Sequence, residues 1–214
     1  MSKEHSSLAN QAYDLLEQKI IQLELGPGEI YSEAELSEVI ELGRTPMREA
    51  LLRLAKERLV EMIPRRGVRI SRIDLTNHIA LLETRKALDV LIATRAAKRA
   101  NPQQQERLRE CSAKMLRAGQ TGDIEKFRTV DNDIDALICE TSNNEFAVEA
   151  VAHLYAHCKR FWSYYHDHLN IGRSAEQHSD LVLAVADGDE QGAKEAVIDI
   201  IDHQIDFTRT ALDL

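Results

Sequence analysis

The chain has 214 residues, is 43% hydrophobic and 29% charged, and carries a formal net charge of −9 at pH 7. That is the composition of an ordinary soluble globular protein with room for one large domain or two small ones. No apolar run approaches membrane length and MSKEHSSLANQ has no apolar leader core, so no membrane partner and a cytoplasmic location are expected, while the acidic balance taken alone argues against nucleic acid.

The distribution of charge reverses that last argument. Up to Leu42 the basic residues are Lys3 and Lys19, set among many carboxylates. From Gly43 to Arg72, Arg44, Arg48, Arg53, Lys56, Arg58, Arg65, Arg66, Arg69 and Arg72 face only Glu49, Glu57 and Glu61. A basic block inside an acidic chain is a localised electrostatic footprint. A solvated basic face would look the same by charge alone, so the elements must decide.

In chain order, residues 1–7 read as frayed and Leu8 to Leu25 as a helix, with Ala12, Leu15, Leu16, Lys19, Ile20 and Leu23 as its stripe and Gly26 as its C′ glycine. Glu29 to Tyr31 reads as a short strand. Ser32 caps a second helix to about Ile40, with Glu35 completing a capping box. In GRTPMREALLRLAKERL, Met47, Ala50, Leu51, Leu54 and Ala55 define one buried face. Arg44 and Arg48 lie off that face at the helix N-terminus, where Gly43 or Thr45 is the N-cap and Pro46 breaks no helical bond. LVEMIPRRGVRIS then alternates as a hairpin with Arg65 and Arg66 at its tip and Gly67 free to take positive φ.

After Asp74 only helical periodicity remains. Helices are expected at about 75–100, 103–120, 123–141, 145–168, 173–187 and 190–212, packed antiparallel across short connections. Cys111, Cys139 and Cys158 fall in these helices without CxxC spacing and read as reduced, packed thiols. The fold class is therefore mainly α: an N-terminal winged helix-turn-helix, residues 1–73, and a C-terminal all-α helical bundle, residues 74–214.

Three helices and a hairpin form a plan in which the third helix enters the major groove. Arg44 and Arg48 then stand against base edges, Thr45 against a phosphate, and the Arg66-Gly67 tip against the backbone or minor groove. The stretch LELGPGEIYSEAELSEVIELGRTPMREALLRLAKERLVEMIPRRGVRIS resembles the DNA-binding domain of GntR regulators over about residues 8–72. The resemblance implies base contact by Arg44 and Arg48 and wing contact by Arg66 and Gly67. One departure is Gly43, where the family usually has Ser.

The helical half resembles the FCD domain of the FadR subgroup over about residues 74–208, through LLETRKALDVLIATRAAKRA, VDNDIDALICETSNN and EQHSDLVLAVADGDEQGAKEA. The resemblance implies a divalent metal in the bundle with a carboxylate effector against it. Asp131 and His178 match two of the family's ligands. Asp135 stands where a His is usual and Ile200 where the final His falls, with His203 one turn on. Asp131 and Asp135 share a face. His178 and His203 lie about 10 and 15 residues from the Gly188 turn, a difference of about 7 Å along their helices. Two carboxylates and two imidazoles suit Zn, Ni, Mn or Fe; a solvated carboxylate pair and a packing histidine are the plainer alternative. Arg85 falls at an arginine implied to face the effector, or else pairs with Glu83 or Asp89. His153 and His157 have chelating spacing but no implied role, His166 and His168 read as ordinary helix-end residues, and Trp162, Tyr164 and Tyr165 as core or dimer packing.

The expected function is a ligand-responsive transcriptional regulator: a homodimer on a double-stranded operator, acting as a repressor released by a small carboxylate. A metal-dependent helical-bundle enzyme is the alternative from another class, but no HExxH, Ser-His-Asp signature or P-loop is present, so no enzyme is expected. A non-specific DNA-binding module would lack arginines placed for base readout.

Overall fold

A computed structural model describes residues 7–165 and 170–211; the expectations for residues 1–6, His166, His168 and the last residue of the C-terminal helix lie outside them. The described elements run α1 (Leu8–Ile21), β1 (Ile30–Tyr31), α2 (Glu33–Ile40), α3 (Arg44–Lys56), β2 (Val60–Ile63), β3 (Gly67–Ile70), α4 (Leu75–Arg99), α5 (Pro102–Thr121), α6 (Ile124–Ser142), α7 (Glu145–Tyr165), α8 (Ile171–Asp187) and α9 (Glu190–Ala211). This is the mainly α class expected, a winged helix-turn-helix followed by helices. Within the described residues the chain divides into two compact units, 7–74 with 155–165, and 75–154 with 170–211.

In the first unit, Ala12, Leu16 and Ile20 of α1 pack with Leu36 and Ile40 of α2 and with Met47, Ala50, Leu51 and Leu54 of α3. Leu15, counted in the α1 stripe, is instead partly exposed. The helix also ends earlier than the sequence suggests. Its C-cap is Gln22, Leu23 takes a left-handed φ of 65°, and Leu25 folds back so that its N–H donates to Lys19 O at 3.2 Å. Burying Leu25 wins over extending the helix to Gly26, whose N–H is taken by the Glu29 carboxylate. The expected capping box on α2 forms: the Ser32 hydroxyl accepts from Glu35 N–H and the Glu35 carboxylate from Ser32 N–H.

The sheet order is β1-β3-β2, antiparallel throughout, with Tyr31 opposite Val68 and Ile63 opposite Gly67. Gly67 has φ +109°, and a Cβ built there would lie 2.2 Å from the Tyr31 carbonyl oxygen. Glycine is therefore required at this position by a close backbone approach as well as by a turn.

In the second unit, α5 lies along α8. Ser112 and Ser179 share a buried 2.8 Å hydrogen bond, and a Cβ on Gly119 would meet Ala175 Cβ at 2.5 Å. Gly119 lies inside α5, and this seam needs a small residue there. Gly172 likewise belongs to α8, since Asn170 caps that helix by accepting from Arg173 N–H. Cys111, Cys139 and Cys158 are free thiols. No helix among the described residues is long and apolar enough to cross a membrane.

Candidate functional site

Gly43 is the N-cap of α3, so Arg44, Thr45 and Pro46 occupy its first turn. The Arg44 and Thr45 N–H groups and the positive end of the helix dipole are left without a side-chain cap, and Pro46 has no N–H to satisfy. The apolar face of α3 is buried; Arg44, Thr45 and Arg48 are exposed on the other side. Arg48 Nε is 3.3 Å from Glu33 Oε2, a largely exposed pair that offers little resistance to exchange for another acceptor. At the wing, Arg65 (φ 63°) and Arg66 are exposed on the turn between β2 and β3. Arg69, by contrast, is engaged by Glu61 across the hairpin at 3.1 Å. Two guanidinium pairs, Arg44 with Arg48 and Arg65 with Arg66, are thus exposed at the start of the third helix and at the wing tip.

The far end of α3 carries a cluster the sequence reading missed, although its i,i+4 spacings (Tyr13/Glu17, Arg53/Glu57) are visible there. Tyr13 Oη lies 2.5 Å from Glu17 Oε1 and 2.6 Å from Glu57 Oε2; Arg53 Nε donates to Glu57 Oε1 at 3.2 Å and its guanidinium stacks on the Tyr13 ring. One phenol has one proton, so two such short contacts require a second proton on a carboxyl group. Burial raises the Glu17 carboxyl; the Tyr13 hydrogen bond opposes this, Glu57 and Asp14 reinforce it, and Arg53 offsets part. A carboxyl raised in the folded state contributes stability that is complete below its unfolded value near 4.5 and is lost as pH rises through the folded value. We expect the chain to unfold more readily as pH is raised through that window, and Glu17→Gln to flatten the dependence, as read by denaturant midpoints at several pH values. An unchanged pH profile in the variant would show that Glu17 does not hold the proton.

In the helical unit, α6 presents Asp131 and Asp135, α8 His178 and α9 His203. His178 Nδ1 donates to Ser174 O at 2.7 Å, and Nε2 lies 3.1 Å from Asp131 Oδ1. Burial opposes charge on His178, but the Asp131 hydrogen bond and charge more than offset it, so its pKa is raised. His203 Nδ1 donates to Gln177 Oε1 at 2.8 Å, and the Gln177 amide donates to Asp199 Oδ2 at 2.6 Å. Burial and the Arg173 charge lower the His203 pKa. Gln177, an orienting residue that spacing alone did not reveal, fixes this imidazole with Nε2 as its unprotonated nitrogen.

The four-residue ligand set expected from sequence is not assembled. Among the described residues no group of three or more His, Cys, Asp or Glu is placed to hold a metal ion; Asp131 and His178 form a pair. The reason lies on α9, where Ile200 is buried at the family's ligand position and His203, one turn on, is tied to Gln177. Arg85 Nε donates to Asp89 Oδ2 at 2.7 Å and its Nη1 to Gln204 Oε1 at 3.4 Å, in a largely buried pair, so this guanidinium already has a counter-ion. His157, of the pair with chelating spacing, donates its Nε2–H to Glu57 O at 2.8 Å.

Comparison with known proteins decides the family. The model of bacterial regulatory proteins of the gntR family matches residues 8–70, and that of the FCD domain residues 80–203. The chain belongs to the GntR family and carries an FCD domain. It is a transcriptional regulator rather than an enzyme, as these domains and its relatives are. It is 24% identical over 188 residues to the HTH-type transcriptional repressor RspR of Escherichia coli K12, covering 87% of this chain and 82% of that one. It is 28% identical over 187 residues to a regulator from an unstable DNA locus of Streptomyces ambofaciens, covering 86% and 78%. Its fold matches E. coli McbR/YncC with a TM-score of 0.84 at 22% identity, covering 97% and 99% of the chains. A GntR regulator from Rhodococcus sp. RHA1 follows at 0.74 and 17%, covering 96% and 99%.

Proposed function

We propose that this regulator acts in the cytoplasm as a homodimer on a palindromic double-stranded operator and represses a metabolic operon until a small carboxylate effector releases it. Residues 1–73 serve as the DNA-binding domain and residues 74–214 as the effector-binding and dimerisation domain. The observation that carries the reading is the exposed Arg44-Thr45-Arg48 group on the first turns of α3. Arginine's fork suits guanine O6 and N7, Thr45 suits a phosphate at the helix N-terminus, and Arg66 with Gly67 suits the adjoining backbone or minor groove. Arg85 is the candidate effector contact, exchanging part of its Asp89 and Gln204 bonding for a carboxylate. An effector acts only through a difference in affinity between operator-competent and operator-incompetent states.

Selection of bound duplexes from a random pool, followed by anisotropy titration, tests the reading. A palindromic consensus bound with a specificity ratio of at least about 10³ supports it; equal affinity for all sequences overturns it.

The proposed metal is a divalent Zn, Ni, Mn or Fe, and it rests on Asp131 and His178. Their 3.1 Å separation is that of two neighbouring ligands on an ion with bonds of about 2.1 Å, and both Asp135 and His203 lie within electrostatic range of His178. Zinc titration followed by elemental analysis is expected to give one ion per chain, lost in the double variant Asp131→Ala, His178→Ala. Equal metal content in the variant would remove the site from the proposal.

A further inference from the structure

Arg160 is a buried charge with little compensation among the described residues. It is 2% exposed, its Nη2 donates to the Ser71 carbonyl oxygen, and its Nε has no hydrogen-bond partner. No carboxylate of the described residues pairs with it, and burial pushes its pKa down to about 10. Buried guanidinium groups are ordinarily matched by an anion, because five N–H donors are otherwise withdrawn from water.

The next residue after Ser71 lines a cavity in the same unit. This open cavity of about 480 Å³ is formed by Gly28, Glu29, Arg72, Ile73, Tyr164 and Tyr165, among others. Arg72 is exposed and has no hydrogen-bond or ion-pair partner among the described residues. Glu29, the acidic wall, is already occupied: its carboxylate accepts from the Tyr31 hydroxyl and from Gly26 N–H, and those bonds, Tyr31's foremost, hold its pKa down. Tyr164 stands one helical turn beyond Arg160 and is 54% exposed, and its ring meets Tyr165 edge-on at 4.9 Å. The cavity therefore combines a free guanidinium, a second buried cation behind Ser71, and an exposed aromatic wall.

We propose that this cavity is a second ligand site, separate from the helical unit, and that it takes a small organic anion bearing a flat ring. The carboxylate end is held by the Arg72 fork, with Arg160 contributing positive charge through the adjacent Ser71 segment. The ring lies against Tyr164 and Tyr165. The sequence reading assigned these aromatics to packing; the exposure of Tyr164 and the free Arg72 are what redirect them.

Trp162 is the single tryptophan of the chain and lies two residues from Tyr164, so its fluorescence reports on the site. The full-length protein is titrated with sodium benzoate at constant ionic strength, with sodium acetate as the ringless comparison. Benzoate is expected to produce a saturable change with a Kd of about 1 mM or tighter, and Arg72→Gln to weaken it about tenfold. Tyr164→Ala is expected to narrow the preference for benzoate over acetate, and the double variant Asp131→Ala, His178→Ala to bind benzoate as the parent does. The proposal is overturned by the absence of saturable binding, by unchanged affinity in Arg72→Gln with a native circular dichroism spectrum, or by loss confined to the Asp131/His178 variant. Acetate binding as tightly as benzoate would overturn the assignment to ring-bearing anions.

Discussion

Replacing Arg44 and Arg48 together by Ala is expected to weaken operator binding by about 2–6 kcal/mol, or roughly 30-fold to 10⁴-fold, while leaving stability within about 0.5 kcal/mol. The magnitude comes from two bidentate base contacts worth about 1–3 kcal/mol each. Stability should hold because both side chains are exposed and the only partner either has in this group is Glu33, in a solvent-screened pair. Removing Arg65 and Arg66 should act differently. Phosphate contacts carry no sequence information, so affinity should fall for every duplex and the slope of log K against log salt should flatten by about one per residue. Anisotropy titrations on cognate and scrambled duplexes at several salt concentrations separate the two. Uniform weakening in the Arg44/Arg48 variant would show that α3 positions the protein without reading bases.

Gly67→Ala is the second large effect. A residue with a Cβ at φ +109° incurs strain of about 1–3 kcal/mol, and the methyl group would also sit 2.2 Å from the Tyr31 carbonyl oxygen. Backbone atoms on both sides cannot step aside as a flexible side-chain tip can, so overpacking adds about 1–3 kcal/mol more. The total, about 2–6 kcal/mol, is a large share of the stability of a small domain. Thermal unfolding should show a marked drop in midpoint. A variant that unfolds with the parent would mean that the wing can shift off β1 at little cost.

The first unit was largely legible because each of its signals is local. Ser32 with Glu35, the Met47 to Leu54 stripe and the hairpin through Val60 and Val68 are all read within a few residues, and the structure forms each of them, although Met62 breaks the alternation of β2 and is exposed. What sequence did not show depends on distant partners. The end of α1 was misplaced because Leu25 burial, a tertiary effect, competes with the Gly26 stop signal. The function of Gly67 was half seen: its turn is local, whereas its contact with Tyr31 spans the whole helix-turn-helix. In the helical unit the elements were legible from periodicity and caps, but the ligand set was not. Asp131 and His178 do meet, whereas His203 was aligned by counting residues from Gly188, and counting cannot reveal that Gln177 turns its imidazole. Arg160 and the Tyr13 cluster were invisible for the same reason, since burial and counter-ions are properties of the assembled unit.

Ile30 and Tyr31 precede the helix-turn-helix and pair with Val68 and Arg69 after it, while Gly28 and Glu29 exchange backbone hydrogen bonds with Ile70. The chain carrying α2 and α3 is thus a loop clasped at its base by one strand. The clasp is built from backbone groups and a glycine, whereas positions 44 and 48 face solvent. Over evolutionary time the exposed positions are free to be exchanged with little loss of fold, and the clasp is not. New operator preferences can therefore arise by drift at the tip of α3 while the residues that close the loop remain under a separate, structural selection.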